Sequence, residues 1–367
     1  MTTIQESART ADIGVRPVAG YIGADITGVD ISEPLTLEQI TAIRAALHRY
    51  KVIFFRGQHL DHESHIAFGR QFGELTCVTP RGRMLEGYPE ISTVGKPQYG
   101  PQGKQQGREQ RSEEQQRKER IKQGRLGQTS YFAGWHTDLT AAVNPPAGCI
   151  LRSEVLPDFG GDTCWANLVA AYEGLSDPVK AFVSTLRAEH RFLAGTSVVQ
   201  KGNGGARQGN GGMQRGNGGN GAQQGNGAQQ GNGAQQGNGP AGQPLTGLVA
   251  VHPVVRVHPV TGEKALFVNP GFTTRIVDVS TLESNAILDL LYSEMSRLEY
   301  TVRLRWEPGT VAFWDNCATA HLPPRDVEHL HVERILHRVT ICGDVPVGPD
   351  GRESELVSGA PLTPVAR

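Results

Sequence analysis

One short motif and one distant histidine constrain the fold of this chain more than any other feature. The motif is Trp135-His136-Thr137-Asp138, and the distant residue is His321, which ends the segment WDNCATAH. Side chains two apart on an extended strand point to the same face, so His136 and Asp138 can meet one ion while Thr137 faces away. A third partner so far along the chain is typical of a barrel that joins distant strands.

The residue types in this set indicate a metal site. Two imidazoles and one carboxylate match the three-ligand facial site of non-haem Fe(II) oxygenases, which leaves coordination positions open. By itself an H-x-D triplet more often marks a hydrogen bond at a strand end. Here Pro308-Gly309 predicts a turn, residues 310–314 predict a strand, and His321 follows a short polar connection. This context favours the metal site.

Other histidines and motifs do not lead to a second site. The sequence contains no H-E-x-x-H motif of the kind that would favour a zinc hydrolase. Five further histidines are predicted to lie at strand ends, in packing positions or at the surface, namely His252, His258, His329, His331 and His337.

Two arginines follow the distant histidine on a predicted strand. The segment VERILHRVTIC is rich in Val, Ile and Thr, and alternation places Arg334 and Arg338 on one face, with His337 on the other. A buried arginine needs an anionic partner, because an unpaired interior charge loses its hydration without compensation. Taken alone, the pair fits an exposed edge strand equally well, but beside a metal site it indicates carboxylate or sulfate-like partners.

The rest of the chain predicts a mostly β fold with flanking helices. Thr36 and Gln39 form a capping-box start for a helix, followed by the strand VIFF at residues 52–55. Further helices are predicted at about residues 62–72 and 282–298. The intervening strands are short and separated by turns, which favours a double-stranded β-helix, a jelly-roll barrel whose mouth holds the metal.

Length and composition indicate one domain, and residues 1–367 are predicted to form a single catalytic unit with two insertions. Residues 102–128 are charged and Gln-rich, and residues 202–243 repeat GNGAQQ with almost nothing to bury, so the second insertion is predicted to be disordered. Both are interpreted as tolerated surface insertions, with a partner-binding role as the alternative.

Charge and cysteine content exclude several classes of partner and location. With 36 basic and 37 acidic side chains, the net charge of −1 creates no overall electrostatic field that would attract nucleic acid or an anionic membrane. Five cysteines without a C-x-x-C pair indicate no disulfide framework, which suits a reducing compartment. The N-terminal residues carry no apolar h-region, and no stretch of about 18 apolar residues occurs. These features predict a cytoplasmic protein.

Together these motifs resemble the taurine dioxygenase family of Fe(II)- and 2-oxoglutarate-dependent dioxygenases, near its alkyl-sulfate and sulfonate members. The similar segments include GYIGADITGVDIS, KVIFFRGQ, GWHTDLT, LPDFGGDTCWANLVAAYEGLS, NPGFTTRIVDVS, WDNCATAH and ILHRVTICGDVPV. The resemblance implies that His136, Asp138 and His321 bind iron, and that Thr163 and Arg334 hold the distal carboxylate of 2-oxoglutarate. It also implies O₂ as the second cosubstrate and assembly as a homodimer or homotetramer.

The resemblance further implies that Arg338 faces the anionic group of a small organic substrate and that Phe272 lines the pocket. Sulfonate-binding members usually offer a histidine soon after FGEL, where this chain has residues 76–79, TCVT, and an asparagine shortly before WHTD, where it has residues 131–134, YFAG. These residues make the rim of the substrate pocket more apolar than in the sulfonate-binding members, which favours an alkyl sulfate or alkyl sulfonate over taurine.

The predicted function is hydroxylation of the carbon next to a sulfate or sulfonate group, which releases an aldehyde plus sulfate or sulfite, with succinate and CO₂. Two alternatives remain at this stage. One is the same chemistry on a carboxylate-bearing substrate of secondary metabolism or an aryloxyalkanoate. The other is a non-catalytic binding or scaffold protein that uses its Gln/Gly/Asn-rich insertion.

Overall fold

The computed structural model describes residues 13–77, 83–96, 134–192 and 247–365, apart from residues 325, 328, 329 and 331. The predicted insertions at 102–128 and 202–243, and the predictions for His329 and His331, lie outside the described residues. The assignment of residues 1–367 to one domain therefore stays a prediction.

Strands dominate the described residues. They are β1 (Gly14–Pro17), β2 (Ala24–Thr27), β3 (Val52–Phe55), β4 (Leu75–Thr76), β5 (Arg83–Leu85), β6 (Tyr88–Lys96), β7 (Gly148–Val155), β8 (Thr163–Asn167), β9 (Arg187–Arg191), β10 (Val249–Pro253), β11 (Val255–Val257), β12 (Lys264–Leu266), β13 (Thr273–Ile276), β14 (Thr301–Leu304), β15 (Val311–Asp315), β16 (Thr319–Leu322), β17 (Arg334–Ile341) and β18 (Glu355–Ser358). The helices are α1 (Leu37–Tyr50), α2 (His62–Arg70), α3 (Leu168–Glu173), α4 (Asp177–Val183) and α5 (Thr281–Met295). A mostly β fold with flanking helices is confirmed.

The largest sheet of the described residues places a single strand, β7, between the predicted arginine strand β17 and β15, the strand that precedes the distant histidine. Its order is β1-β2-β3-β15-β7-β17-β6-β5, with β4 also pairing with β17. All five residues of β15 are buried, because this strand lies in the middle of the sheet and is covered on both faces. β17 pairs with β7 on one side and with β6 on the other.

Three smaller sheets accompany the largest one in the part of the chain that the structure describes. β13-β9-β10-β18 form one, β14-β8-β16 form another, and β11 and β12 form a hairpin. In the second of these, β16 pairs with β8 so that His321 lies opposite Trp165. This pairing brings the distant histidine next to the strand that begins at Thr163.

Helix α1 begins and ends as its sequence predicts. The Thr36 hydroxyl accepts a hydrogen bond from the Gln39 backbone N–H, and the Thr36 backbone N–H donates one to the Gln39 side-chain oxygen, which is the predicted capping box. The helix ends where Lys51 adopts a left-handed conformation, with φ of 66°. Helix α5 has the same kind of start at Ser280, whereas α2 ends two residues before the predicted position.

Aromatic side chains form the part of the core that lies next to the distant histidine. Trp165 and Trp314 are fully buried, with ring centroids 5.7 Å apart, and Phe54 packs against Trp165 at the same distance. The Trp314 ring lies 5.0 Å from the ring of His321, so the core supports this histidine directly. Across the described ranges, no helix has the length and apolar character that crossing a membrane requires.

Candidate metal centre

Three predicted ligands converge at one point. The potential ligand atoms of His136, Asp138 and His321 all lie within 4.8 Å of one another. The Nε2 atoms of His136 and His321 lie 4.0 and 3.8 Å from oxygens of the Asp138 carboxylate. The two histidines also form an isolated bridge, in which each backbone N–H donates to the other's carbonyl oxygen at 3.0 and 2.7 Å. The pairing of the two backbones thus fixes the distance between the imidazoles.

The local geometry of the triplet differs from the predicted extended strand. Only His136 has a strand-like bridge, whereas Asp138 lies in a turn and Leu139 has a φ of 47°. Thr137 is buried and donates its hydroxyl hydrogen to the carbonyl of Thr319, so it does face away from the site. The ligands therefore converge through a bridge followed by a turn, and the prediction that His136 and Asp138 lie on one extended strand was wrong.

The protonation states of the three residues suit a divalent cation. Burial opposes ionisation of Asp138, but the charge of Arg338, the two histidines and the hydrogen bond from Cys149 together outweigh it and hold the pKa of this carboxyl well below its usual range. Burial lowers the pKa of His321 to about 3, so its imidazole is neutral at neutral pH. His136 Nδ1 lies 2.9 Å from the Gly134 carbonyl, and a donated hydrogen bond there leaves Nε2 as the ligand atom. One carboxylate and two neutral imidazoles are the forms that bind metal.

Asn316 anchors the backbone of the acidic ligand, a role that was not predicted from the sequence. Its Oδ1 accepts from the Asp138 amide at 2.9 Å, and its Nδ2 donates to the carbonyls of Asp138 and Pro146 at 3.1 and 2.9 Å. The carboxylate itself accepts from the Cys149 thiol at 3.2 Å. The only signal in the sequence was the position of Asn316 inside WDNCATAH, where it was interpreted as part of a polar connection.

A second group brings Arg334 and Thr163 together, as predicted. Arg334 Nη2 donates to the Thr163 hydroxyl at 3.4 Å and its Nε donates to the Gly161 carbonyl at 2.6 Å. Trp306 Nε1 also donates to this hydroxyl, at 3.0 Å. Gly161 has a φ of 69°, and a Cβ there would lie 2.8 Å from Arg334 Cδ, so a larger residue would displace the arginine. Burial lowers the pKa of Arg334 to about 10, which keeps the guanidinium charged at neutral pH.

Arg338 and Phe272 lie on two sides of the metal centre. Arg338 is buried, and its Nη1 donates to both oxygens of Asp138 at 3.0 and 3.1 Å. The Phe272 ring is 6.5 Å from that of His136 and stacks on Phe192 at 6.2 Å. The structure therefore brings both residues to the site, and it also places Arg338 in contact with the predicted ligand Asp138.

The two arginines reach this region from one strand, despite an irregularity between them. The pairing of β17 with β7 shifts register between Ile335 and Leu336, so strict alternation is interrupted there. His337 lies on the opposite side of the strand, with its Nδ1 3.1 Å from Arg152 Nη2 and 3.4 Å from Glu154 Oε2. The predicted orientation of His337, away from the metal centre, is confirmed.

A second cluster of two histidines and one aspartate has the residue types of a metal site but the wrong proton arrangement. His258 Nδ1 accepts backbone N–H groups from Val260 and Thr261, both at 3.1 Å. Its Nε2 must then carry the hydrogen, which it donates to Asp315 at 2.8 Å. His48 Nδ1 lies 3.6 Å from the same carboxylate. Because the Nε2 lone pair is not available, this cluster caps the β11–β12 turn and anchors the end of β15.

Comparison with known proteins shows similarity along nearly the whole chain. Residues 14–340 match the family described as "Taurine catabolism dioxygenase TauD, TfdA family". An alpha-ketoglutarate-dependent sulfate ester dioxygenase of Pseudomonas putida is 35% identical over 344 residues, 94% of each chain. An alkylsulfatase of Acinetobacter baylyi is 30% identical over 352 residues, 96% of this chain and 91% of the relative.

The fold is likewise similar to that of a solved structure. The crystal structure of a taurine dioxygenase from Burkholderia xenovorans superimposes with a TM-score of 0.70 at 39% sequence identity, covering 95% of this chain and 96% of the other. This similarity confirms the predicted jelly-roll fold class.

Proposed function

Because the chain belongs to the TauD, TfdA family of dioxygenases and is therefore a 2-oxoglutarate-dependent enzyme, we propose that it hydroxylates the carbon next to a sulfate or sulfonate group of a small organic anion. An alkyl sulfate is the substrate that we favour. The observation that carries this proposal is the convergence of two histidines and an aspartate beside a buried arginine. The similarity to a sulfate ester dioxygenase and to an alkylsulfatase supports it.

In this proposal His136, Asp138 and His321 hold Fe(II). Bound iron, with 2-oxoglutarate and O₂, supplies the oxidising power for breaking a C–H bond, and the protein supplies position and charge. Asp138 serves as an anionic ligand whose backbone Asn316 fixes on both sides. The bridge between the two histidine backbones sets the spacing of the imidazole ligands.

Arg334 and Thr163 hold the distal carboxylate of 2-oxoglutarate in this proposal. A guanidinium can bind a carboxylate through two parallel hydrogen bonds, and the Thr163 hydroxyl adds a third partner on the same side. The contact of Arg334 Nε with the Gly161 carbonyl fixes the plane of the fork before the cosubstrate arrives. Such preorganisation reduces the entropy lost on binding.

Arg338 binds the sulfate or sulfonate group, and the stacked rings of Phe272 and Phe192 form an apolar wall for the alkyl chain. Since Arg338 also contacts Asp138, an anion held by it lies next to the metal ligands, and the carbon bearing the anion is the one nearest the iron. Hydroxylation of R–CH₂–OSO₃⁻ consumes O₂ and 2-oxoglutarate and gives R–CH(OH)–OSO₃⁻, succinate and CO₂. The hydroxyl proton leaves, the C–O bond to sulfate breaks, and an aldehyde and hydrogen sulfate result.

The experiment that tests this function measures succinate, sulfate and aldehyde formed from hexyl sulfate by the purified protein with Fe(II), 2-oxoglutarate and O₂. We expect the three products in equal amounts, and we expect none of them from His136→Ala. Hexanesulfonate, taurine, hexanoate and phenoxyacetate are tested in parallel. Turnover of the carboxylates alone would establish the same chemistry on a different anion, and no turnover by iron-loaded protein with any of them would refute the proposal.

The cellular setting is also a proposal. All five cysteines lie within the described ranges and are unpaired there, in keeping with a reducing compartment such as the cytoplasm. We propose that neither nucleic acid nor a membrane is a partner, and that the chain forms a homodimer or homotetramer. Sedimentation of the purified protein tests the assembly.

A further inference from the structure

Thr140 is a fully buried polar residue just behind the metal centre, and the proposed chemistry does not use it. It follows the ligand Asp138 by two positions, in the same turn. Its hydroxyl oxygen accepts from Asn269 Nδ2 at 3.0 Å and lies 2.9 Å from His190 Nδ1, while its carbonyl oxygen lies 2.7 Å from His252 Nε2. Three other segments of the chain thus meet at one threonine.

Asn269 connects this threonine to the apolar wall. Its Oδ1 accepts from the Phe272 backbone amide at 2.9 Å. One side-chain amide thus binds through its nitrogen to Thr140, in the turn that contains the ligand Asp138 (the ligand turn), and through its oxygen to the apolar wall. The two segments also touch directly at Gly271, where a Cβ would lie only 2.7 Å from His136 Cβ. The segment from Asn269 to Phe272 is therefore fixed to the ligand segment at two points.

His190 closes the network from the other side. Burial lowers its pKa well below the ordinary value, so the ring is neutral and has one donor and one acceptor nitrogen. If Nδ1 accepts the hydroxyl hydrogen of Thr140, Nε2 carries a hydrogen and faces the Thr273 hydroxyl at 3.3 Å. The same Thr273 oxygen accepts from the Asn269 backbone amide at 2.9 Å. One arrangement of protons satisfies all these groups.

We propose that Thr140 and Asn269 are positioning residues that fix the apolar substrate wall relative to the ligand turn. This inference rests on the proposed oxidation of an alkyl sulfate. Arg338 holds one end of such a substrate near Asp138, and the wall holds the chain. The hydrogen bond between Thr140 and Asn269 then sets the distance from the reacting carbon to the iron. A misplacement of about 1 Å can cost about 100-fold in rate, so a loosened wall lets 2-oxoglutarate be consumed without hydroxylation of the substrate.

The test compares Thr140→Val, which keeps the shape and removes the hydroxyl, with Asn269→Ala, Thr140→Ser and Thr310→Val. Thr310 is a matched control because it is fully buried just before β15 and its hydroxyl oxygen accepts a hydrogen bond from a side chain, that of Arg56, at 3.2 Å. Three quantities are measured: sulfate released per succinate formed, the KM for hexyl sulfate, and the dissociation constant of hexyl sulfate from the Co(II)- and 2-oxoglutarate-loaded protein without O₂. Urea unfolding reports stability.

We expect Thr140→Val and Asn269→Ala to lower the ratio of sulfate to succinate at least about twofold and to weaken hexyl sulfate binding about tenfold, since both separate the wall from the ligand turn. Thr140→Ser keeps the hydroxyl and should restore both quantities. Thr310→Val should lose stability only. If Thr140→Val does not fold, Asn269→Ala decides the outcome, because it removes the same hydrogen bond from the other partner.

The inference is overturned if both variants fold and retain the unaltered ratio and affinity, with a loss of stability like that of Thr310→Val. If the proposed function itself is wrong, the unaltered protein releases no sulfate at all, and the inference is then wrong as well. Coupled turnover in the unaltered protein and in both variants would refute the inference alone.

Discussion

Replacement of Asn316 by alanine is expected to weaken metal binding about 10–100-fold, the range seen when a group that orients a metal ligand is removed. The Asn316 side chain is buried and makes three hydrogen bonds, two of them to the backbone of the ligand Asp138. Alanine leaves the Asp138 amide, the Asp138 carbonyl and the Pro146 carbonyl without this partner. A buried group left unpaired costs about 1–3 kcal/mol, so the variant, which leaves three such groups, should lose at least about 3 kcal/mol of stability in total.

The chain contains a matched control for this experiment. Asn144 makes the same pair of contacts with the backbone of Leu362, because its Nδ2 donates to the carbonyl at 3.0 Å and its Oδ1 accepts from the amide at 2.8 Å. Asn144→Ala should therefore lower the free energy of unfolding without the loss of metal affinity, since Leu362 is not a ligand.

The assay is titration of the metal-free protein with Mn(II) in the presence of 2-oxoglutarate, followed by electron paramagnetic resonance of free Mn(II), with urea unfolding on the same samples. The reasoning is refuted if Asn316→Ala folds and binds Mn(II) as tightly as the unaltered protein. An equal loss of Mn(II) affinity in Asn144→Ala would refute it as well, because the effect would then come from general destabilisation.

Three further predictions concern the cosubstrate, the metal and acid stability. Arg334→Lys keeps the charge but loses the two-pronged fork, so the KM for 2-oxoglutarate measured by succinate formation should rise at least about tenfold; an unchanged KM would contradict the assigned role. Removal of metal by EDTA should abolish turnover and lower the thermal midpoint, and Fe(II) but not Zn(II) should restore activity; persistent turnover in EDTA would exclude the iron site. The free energy of unfolding should decrease as the pH falls from 6.5 toward 3, because burial lowers the pKa of His65 to about 3 and the unfolded chain binds the proton first. The control is His65→Gln, whose side-chain amide can still donate to the Ile150 carbonyl as His65 Nε2 does at 3.2 Å. Its free energy of unfolding, measured in urea, should decrease less steeply across this pH range, and an unchanged slope would count against the assignment.

The helices and the strand VIFF could be predicted because their signals are local. A capping box lies within four residues, and apolar spacing within one helix is visible in the sequence, so α1 began where Thr36 and Gln39 indicated. The burial of β15 on both faces could not be predicted from local signals. It depends on which strands lie beside β15 and on what covers the sheet, and neither partner, β3 nor β7, is close in sequence.

Residue identity in the candidate site could also be predicted, but its geometry could not. The sequence placed the acidic ligand on an extended strand, whereas Asp138 lies in a turn that Asn316 holds from another segment. The family resemblance implied that Arg338 faces the substrate, and only the structure revealed that its guanidinium contacts both oxygens of Asp138. Such contacts join residues far apart in the chain, so no periodicity in the sequence reports them.

By itself, the sequence determined the chemical types available to this protein: two imidazoles, one carboxylate and two guanidiniums in segments that form strands. It also determined that the fold is mostly β, since short apolar runs separated by turns do not form a helical core. The tertiary structure decided which of these groups touch. It paired the backbones of His136 and His321, placed Asn269 between the apolar wall and the ligand turn, and directed the His258 ring so that its lone pair is occupied. Hydrogen bonds have a range of about 3 Å, so their partners are fixed only when packing brings distant segments together.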